Sequence, residues 1–229
     1  MIRTILWDLD GTLLNFKKAE SFAIRKVLSE AGVEPTPETI QLYSQINDTC
    51  WKQLERKEIT REQLYTLRFE RLFNQLGVSA DVKATAGLYP RVLGQAAYFI
   101  PGSYELCASL SGKYRQYIVT NGNTYTSRNR MRLAGFDQLM DDCFVSEEIG
   151  VNKPDPRFFE LCFARIPGGI CREETVIVGD SLSSDMQGGR NAGLRCIWYN
   201  PTGETASDSS LFDRSVSTLA ELPQIFEEL

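Results

Sequence analysis

The chain contains no histidine. That excludes every site built on an imidazole, from Ser-His-Asp and Cys-His nucleophiles to His-ligated zinc. Cysteine is sparse and scattered, at positions 50, 107, 143, 162, 171 and 196. No two form a C-x-x-C pair, so the thiols read as buried and free in a reducing compartment, not as a disulfide framework. No apolar run approaches the ~18 residues of a membrane span. The N-terminus has no basic region followed by a long apolar stretch, so no signal peptide is expected. Excess positive charge is lacking too: 25 Lys and Arg against 30 Asp and Glu leave a net charge of −5. A general nucleic-acid binder would carry the opposite balance. These absences predict a cytoplasmic protein, a monomer or small homo-oligomer, with neither membrane nor nucleic acid as partner.

What is present is the balance of an ordinary globule, 42% hydrophobic and 24% charged over 229 residues, long enough for one large domain or one domain with an insert. Five short apolar runs read as buried strands: Thr4 to Asp8, Gln116 to Thr120, Cys143 to Ser146, Thr175 to Gly179 and Arg195 to Tyr199. Helical stretches at 124–134, 156–166 and 184–192 lie between them. Alternating strands and helices predict an α/β fold, a Rossmann-like three-layer parallel sheet core whose site lies beyond the carboxyl ends of the strands. Residues 17–95 break the alternation and read as all helix. Ile24, Val27, Leu28 and Ala31 share one face ahead of Gly32. Tyr43, Ile46, Asn47, Cys50 and Leu54 share another. Thr60 and Gln63 form a capping-box pattern ahead of a helix closed by Gly77. The organisation expected is a core of 1–16 and 96–229 with an inserted all-helical cap domain at 17–95. The stretch Thr202 to Ser210 reads as a polar loop.

Four separated pieces carry chemistry. D-L-D-G-T places Asp8, Asp10, Gly11 and Thr12 after the first strand. V-T-N-G places Thr120, Asn121 and Gly122 after another. N-K-P-D-P places Lys153 at a helix start, and G-D-S-L-S-S-D places Asp180 after a strand and Asp185 in the next helical turn. Each alone has an ordinary reading: a turn, a loop, a solvated lysine, a helix cap. Together, in order and at element ends, they point to one site. Converging carboxylates repel unless something neutralises them, and an oxygen-only donor set favours a hard cation, Mg²⁺. A cation, an ammonium, a hydroxyl and backbone N–H groups suit the spreading charge of a phosphoryl group, so a small-molecule phosphate ester is the expected partner.

The set resembles the haloacid dehalogenase-like hydrolase superfamily over essentially the whole chain, and in particular its phosphatases with a helical cap after the first strand. The resemblance implies Asp8 as nucleophile and Asp10 as general acid and base, with the Asp10 carbonyl also on Mg²⁺. It implies Thr120 and Lys153 as phosphoryl ligands, Asp180 as a metal ligand, and Asp185 as a ligand through water or behind the first ring of ligands. Thr12, Asn121 and Gly122 would complete the phosphoryl site. Dehalogenase members lack the second acid, so Asp10 favours phosphoester chemistry.

Looser stretches resemble the bacterial pyrimidine 5′-nucleotidase subgroup: L-L-N-F after the first motif, I-N-D-x-x-W at Asn47 to Trp51, E-I-T-R-E-Q-L at 58–64, R-F-E at 68–70, and S-E-E-I-G-V-N-K-P at 146–154. They imply a nucleoside 5′-monophosphate as substrate. Phe16 and Trp51 are candidates for an aromatic wall against the base, and Asn47, Asn121 and Asn123 for polar contacts. Phe16 and Trp51 equally fit a helical core. A phosphoglycolate or sugar-phosphate phosphatase, a phosphosugar mutase, and a non-catalytic binding protein on the same fold are the alternatives.

Overall fold

The apolar runs form strands because β-branched and aromatic residues fill both faces of a buried sheet. The computed structural model describes all residues, 1–229. The strands are β1 (Thr4–Trp7), β2 (Arg115–Thr120), β3 (Asp142–Val145), β4 (Thr175–Gly179), β5 (Arg195–Tyr199) and β6 (Arg214–Val216). They lie in the order β3-β2-β1-β4-β5-β6, and every pairing is parallel. Side chains alternate across the sheet with period two. Ile5, Trp7, Ile118, Val176, Val178 and Ile197 enter one core, and Leu6, Tyr117, Val119, Ile177, Cys196 and Trp198 the other.

By contact the chain divides into two compact units, Met1–Asn15 with Ala97–Leu229, and Phe16–Ala96. In the first, α5 (Ser103–Leu110), α6 (Thr124–Leu133) and α10 (Leu222–Glu228) contribute apolar residues to the Ile5 core, while α7 (Ser146–Ile149), α8 (Pro156–Phe163) and the turn at Leu182–Met186 contribute to the other. Strand order reverses at β1, which takes β2 on one side and β4 on the other. A crevice outside the strand ends at such a reversal is where ligands bind in open α/β sheets. The backbone N–H of Asn15 donates to the Tyr98 carbonyl at 2.7 Å, pairing the segments at which the chain leaves and re-enters this unit.

The second unit is four helices: α1 (Phe16–Glu30), α2 (Pro37–Glu55), α3 (Arg61–Leu76) and α4 (Val82–Leu93). Thr36, Thr60 and Asp81 accept backbone N–H groups as N-caps; Thr60 and Gln63 close a reciprocal capping box, and Gly77 ends α3 at φ 65°. Such caps satisfy backbone groups that the helix cannot, at about 1 kcal/mol each. Tyr43, Phe69 and Tyr89 form an aromatic centre with ring centroids 5.4–5.6 Å apart.

The structure departs from the sequence reading at five points. β6 was not anticipated, because only Val216 of its three residues is buried. β3 stops at Val145, and Ser146 opens α7. The helix expected over 156–166 ends at Phe163. The stretch expected to be helical from 184 starts earlier, as a π-type turn at Leu182–Met186, before α9 (Gln187–Asn191). Five cysteines are buried, but Cys171 is exposed, in a loop where its thiol donates to Glu173 at 3.1 Å. No helix is long and apolar enough to cross a membrane.

Candidate active site

Asp8 follows β1, its backbone N–H still paired to the Val178 carbonyl at 2.9 Å. Thr120 ends β2 and Asp180 follows β4. Because β2, β1 and β4 are adjacent, three residues far apart in sequence emerge side by side. Gly11 allows this crowding. Its φ is +102°, and a Cβ there would lie 2.2 Å from Asp180 Oδ2. Gly179 likewise leaves room for Asp185, whose Cγ would be 2.4 Å from an added Cβ.

Lys153 is the charge centre. Its side chain is 1% exposed and its Nζ donates to Asp8 Oδ1 at 2.8 Å, Asp185 Oδ1 at 2.6 Å and the Val119 carbonyl at 2.6 Å. An ammonium has three N–H donors, so all three are engaged within the protein. Asn121 fixes the backbone beneath it, accepting from the Lys153 N–H and donating to the Lys153 carbonyl, each at 2.9 Å. Asp185 has both oxygens engaged, one by Lys153 and one by the Ser181 N–H at 3.1 Å. The buried Thr12 hydroxyl lies 3.3 Å from Asp8 Oδ2 and 3.5 Å from Asp180 Oδ1. Thr120 Oγ1 accepts from the Gly122 N–H at 3.1 Å, a bond that does not use the threonine's own proton.

Electrostatics mark the cluster as short of positive charge. Ligand oxygens of Asp8, Asp180 and Asp185 lie within 4.8 Å of one another, against one ammonium. Burial and the charge of Asp185 hold the Asp8 carboxyl well above the ordinary carboxylate range, although Lys153 pulls the other way. Asp180 is open to solvent on one side and crowded by protein on the others; that desolvation, and then Asp185, push its carboxyl up to about 7. Burial lowers the Lys153 ammonium, but Asp185 and Asp8 outweigh it and the net displacement is upward. A divalent cation among the three carboxylates would relieve this imbalance, and an all-oxygen donor set suits a hard one.

The other residues singled out from sequence fall in two groups. Asp10 enters through a different partner: its carboxylate contacts the guanidinium of Arg130, a fully buried side chain in α6. Sequence reading missed Arg130. Met131 and Ala134 on the same helix are buried as well, and Arg130 lies on their inward stripe. Asn123 caps α6, accepting from the Thr126 N–H at 3.1 Å, and donates to Glu147, which also accepts from the Thr124 N–H at 2.7 Å. Glu147 was read only as part of a motif, yet it ties down the loop that carries Thr120 to Asn123. Phe16, Asn47 and Trp51 belong to the helical unit. Phe16 and Trp51 are half-buried against its core. Asn47 is fully buried and its amide is engaged at both ends, donating to Glu20 at 2.8 Å and accepting from Arg68 at 3.1 Å.

The fold and this cluster define a Rossmann-like α/β protein with an acidic, lysine-anchored site at the strand reversal. The haloacid dehalogenase-like hydrolase family matches residues 5–199. The chain belongs to that family and is a phosphoric monoester hydrolase. It is 38% identical over 198 residues to the pyrimidine 5′-nucleotidase PynA of Streptococcus pneumoniae, covering 86% of this chain and 83% of that protein. It is 29% identical to the pyrimidine 5′-nucleotidase YjjG of Escherichia coli, covering 96% of each. Among solved structures, the magnesium-bound HAD-hydrolase YfnB of Bacillus subtilis superposes with a TM-score of 0.93 at 34% identity, covering 98% of both chains.

Proposed function

We propose that the chain is a Mg²⁺-dependent 5′-nucleotidase that acts through an aspartyl-phosphate on Asp8. The observation that carries the chemistry is the convergence of Asp8, Asp180 and Asp185 on one another, with the buried Lys153 paired to Asp8 and Asp185. The nucleotide preference rests on the likeness to two pyrimidine 5′-nucleotidases.

Lys153 keeps Asp8 oriented and favours its ionised, nucleophilic form by charge and a direct hydrogen bond. With its three hydrogens engaged, Lys153 works as a fixed charge that faces the phosphoryl group and needs no reorganisation during reaction. Thr120 donates its proton to a phosphoryl oxygen, held in place by the Gly122 N–H that its oxygen accepts. Asp8 attacks phosphorus in line, the ester oxygen leaves with a proton from Asp10, and Asp10 then takes a proton from the water that hydrolyses the aspartyl-phosphate. Asp8, the Asp10 carbonyl and Asp180 would hold Mg²⁺, with Asp185 behind them; when bound, the ion neutralises the carboxylates and shields phosphoryl charge. The helical unit, residues 17–95, would serve as the cap, with Phe16 and Trp51 as base-facing candidates. Asn47 would support that surface from below, since its amide is engaged inside the unit.

Purified protein with Mg²⁺ is expected to release phosphate from pyrimidine nucleoside 5′-monophosphates faster than from phosphoglycolate or a hexose phosphate. A preference for the latter pair would remove the nucleotidase reading and leave the phosphatase. The substitution Asp8→Asn should abolish turnover while the circular dichroism spectrum is unchanged; persistent activity in clean mutant protein would overturn the nucleophile.

A further inference from the structure

We propose that Arg130 is a positioning residue that sets the direction of the Asp10 carboxyl. A guanidinium loses several kcal/mol when it leaves water unless its surroundings compensate. Arg130 nonetheless projects from α6 into the interior with no exposed surface, while Arg132 on the same helix faces solvent. It contacts the carboxylate of Asp10, 120 positions earlier in the chain. The helix that carries it begins at the Asn123 cap, directly after the Thr120 loop. One rigid element therefore fixes both the loop that would hold the phosphoryl group and the side chain that holds the acid.

Asp10 needs such a partner. It stands between buried Leu9 and the positive-φ turn at Gly11, with its carboxyl 21% exposed. A carboxylate on a short stem has several staggered orientations. A proton donor works only within hydrogen-bond reach of the leaving oxygen, and an error of about 1 Å can cost ~10²-fold. The Arg130 contact selects one orientation. Arg130 acts through Asp10. The inference rests on Asp10 being the acid.

The test is a double-mutant cycle read on two esters. The first is a nucleoside 5′-monophosphate, whose alkoxide leaving group needs a proton. The second is p-nitrophenyl phosphate, whose phenolate does not. kcat/KM reports the steps through phosphoryl transfer to Asp8, whichever later step limits kcat. Arg130→Met is expected to lower kcat/KM for the nucleotide by roughly 10–10²-fold and to leave p-nitrophenyl phosphate within about threefold. Arg130→Lys should recover part of the loss, and in an Asp10→Asn background Arg130→Met should add nothing. Equal losses on both esters, or the same further loss in the Asp10→Asn background, would overturn the inference alone. If Asp10→Asn itself leaves the contrast between the esters as in the wild type, the acid assignment fails first and the inference goes with it. Should Arg130→Met not fold, Arg130→Lys and Arg130→Gln carry the same cycle.

Discussion

Each unit of the molecule buries a polar cluster, and the two are built on opposite terms. In the helical unit, Glu20 from α1 accepts from Ser44 and Asn47 of α2, and Asn47 accepts from Arg68 of α3. The Arg68 guanidinium also stacks over Tyr89, 4.4 Å from the ring centroid, and Asp48 adds a second negative charge near Glu20. That cluster joins three helices by direct hydrogen bonds. In the α/β unit three carboxylates crowd together and one lysine pairs with two of them, Asp8 and Asp185. Burial raises the carboxyls of Glu20, Asp8 and Asp180 alike, but like-charge crowding by Asp185 adds to it strongly only at the latter two. A cluster whose groups bond to one another across helices is architecture; one that crowds three carboxylates together is prepared for something that arrives.

The largest break in this comparison comes from removing the lysine. Lys153→Met would strand Asp8 and Asp185 against an apolar side chain, with Asp180 beside them. Losing one partner of a buried ion pair costs ~3–5 kcal/mol, and the loss here should sit at the top of that range. Urea unfolding without metal is the measurement, with phosphate release falling to background alongside it. An unchanged midpoint would mean that the carboxylates are not held against one another by Lys153.

A second test supplies the missing charge. Protein stripped with a chelator should gain stability on titration with Mg²⁺, by about 2.7 kcal/mol at one hundred times the dissociation constant. Asp180→Asn should shift that titration to higher Mg²⁺, since the variant lacks the most accessible carboxylate. Glu20→Gln, in the other cluster, should leave the Mg²⁺ increment as in the wild type. If both substitutions alter it equally, the contrast between the clusters is wrong.

The sequence exposes these two clusters unequally, for a physical reason. Asp8, Thr120 and Asp180 are legible because each closes an apolar run, and a parallel sheet brings such ends together whatever lies between them. Lys153 and Asp185 are legible from their motifs, but what they contact is not: that depends on how α8 and the turn at Leu182–Met186 pack. Arg130 and Glu147 were missed because a charged residue in a polar helix reads as solvated, and only the inward stripe of Ser127, Arg130, Met131 and Ala134 contradicts that. Asn47 was marked as a candidate contact for a base although it shares a face with Tyr43, Ile46, Cys50 and Leu54. The same face buries it, and spacing alone does not reveal that Glu20 and Arg68 converge on it. β6 was hidden because a three-residue edge strand with one buried side chain carries almost no pattern.

The smallest expected effect probes the helical cluster. Burial, aided by the charge of Asp48, outweighs hydrogen bonds from Ser44 and Asn47 and the charge of Arg68 and holds the Glu20 carboxyl above its ordinary 4.5. The folded state therefore binds the proton more tightly than the unfolded chain does. The stability this contributes is fully present below pH 4.5 and is lost as pH rises through the folded value. Glutamine keeps the shape and most of the hydrogen bonds and does not titrate. Glu20→Gln should thus match the wild type in acid and become the more stable protein near pH 8, by up to about 1 kcal/mol. Urea midpoints compared at the two pH values give the difference directly. A wild type that gains on the variant as pH rises would show that Arg68 attracts the carboxylate more strongly than burial penalises it. The helical cluster would then be a true ion pair, and the contrast with the surplus charge around Lys153 would be sharper still.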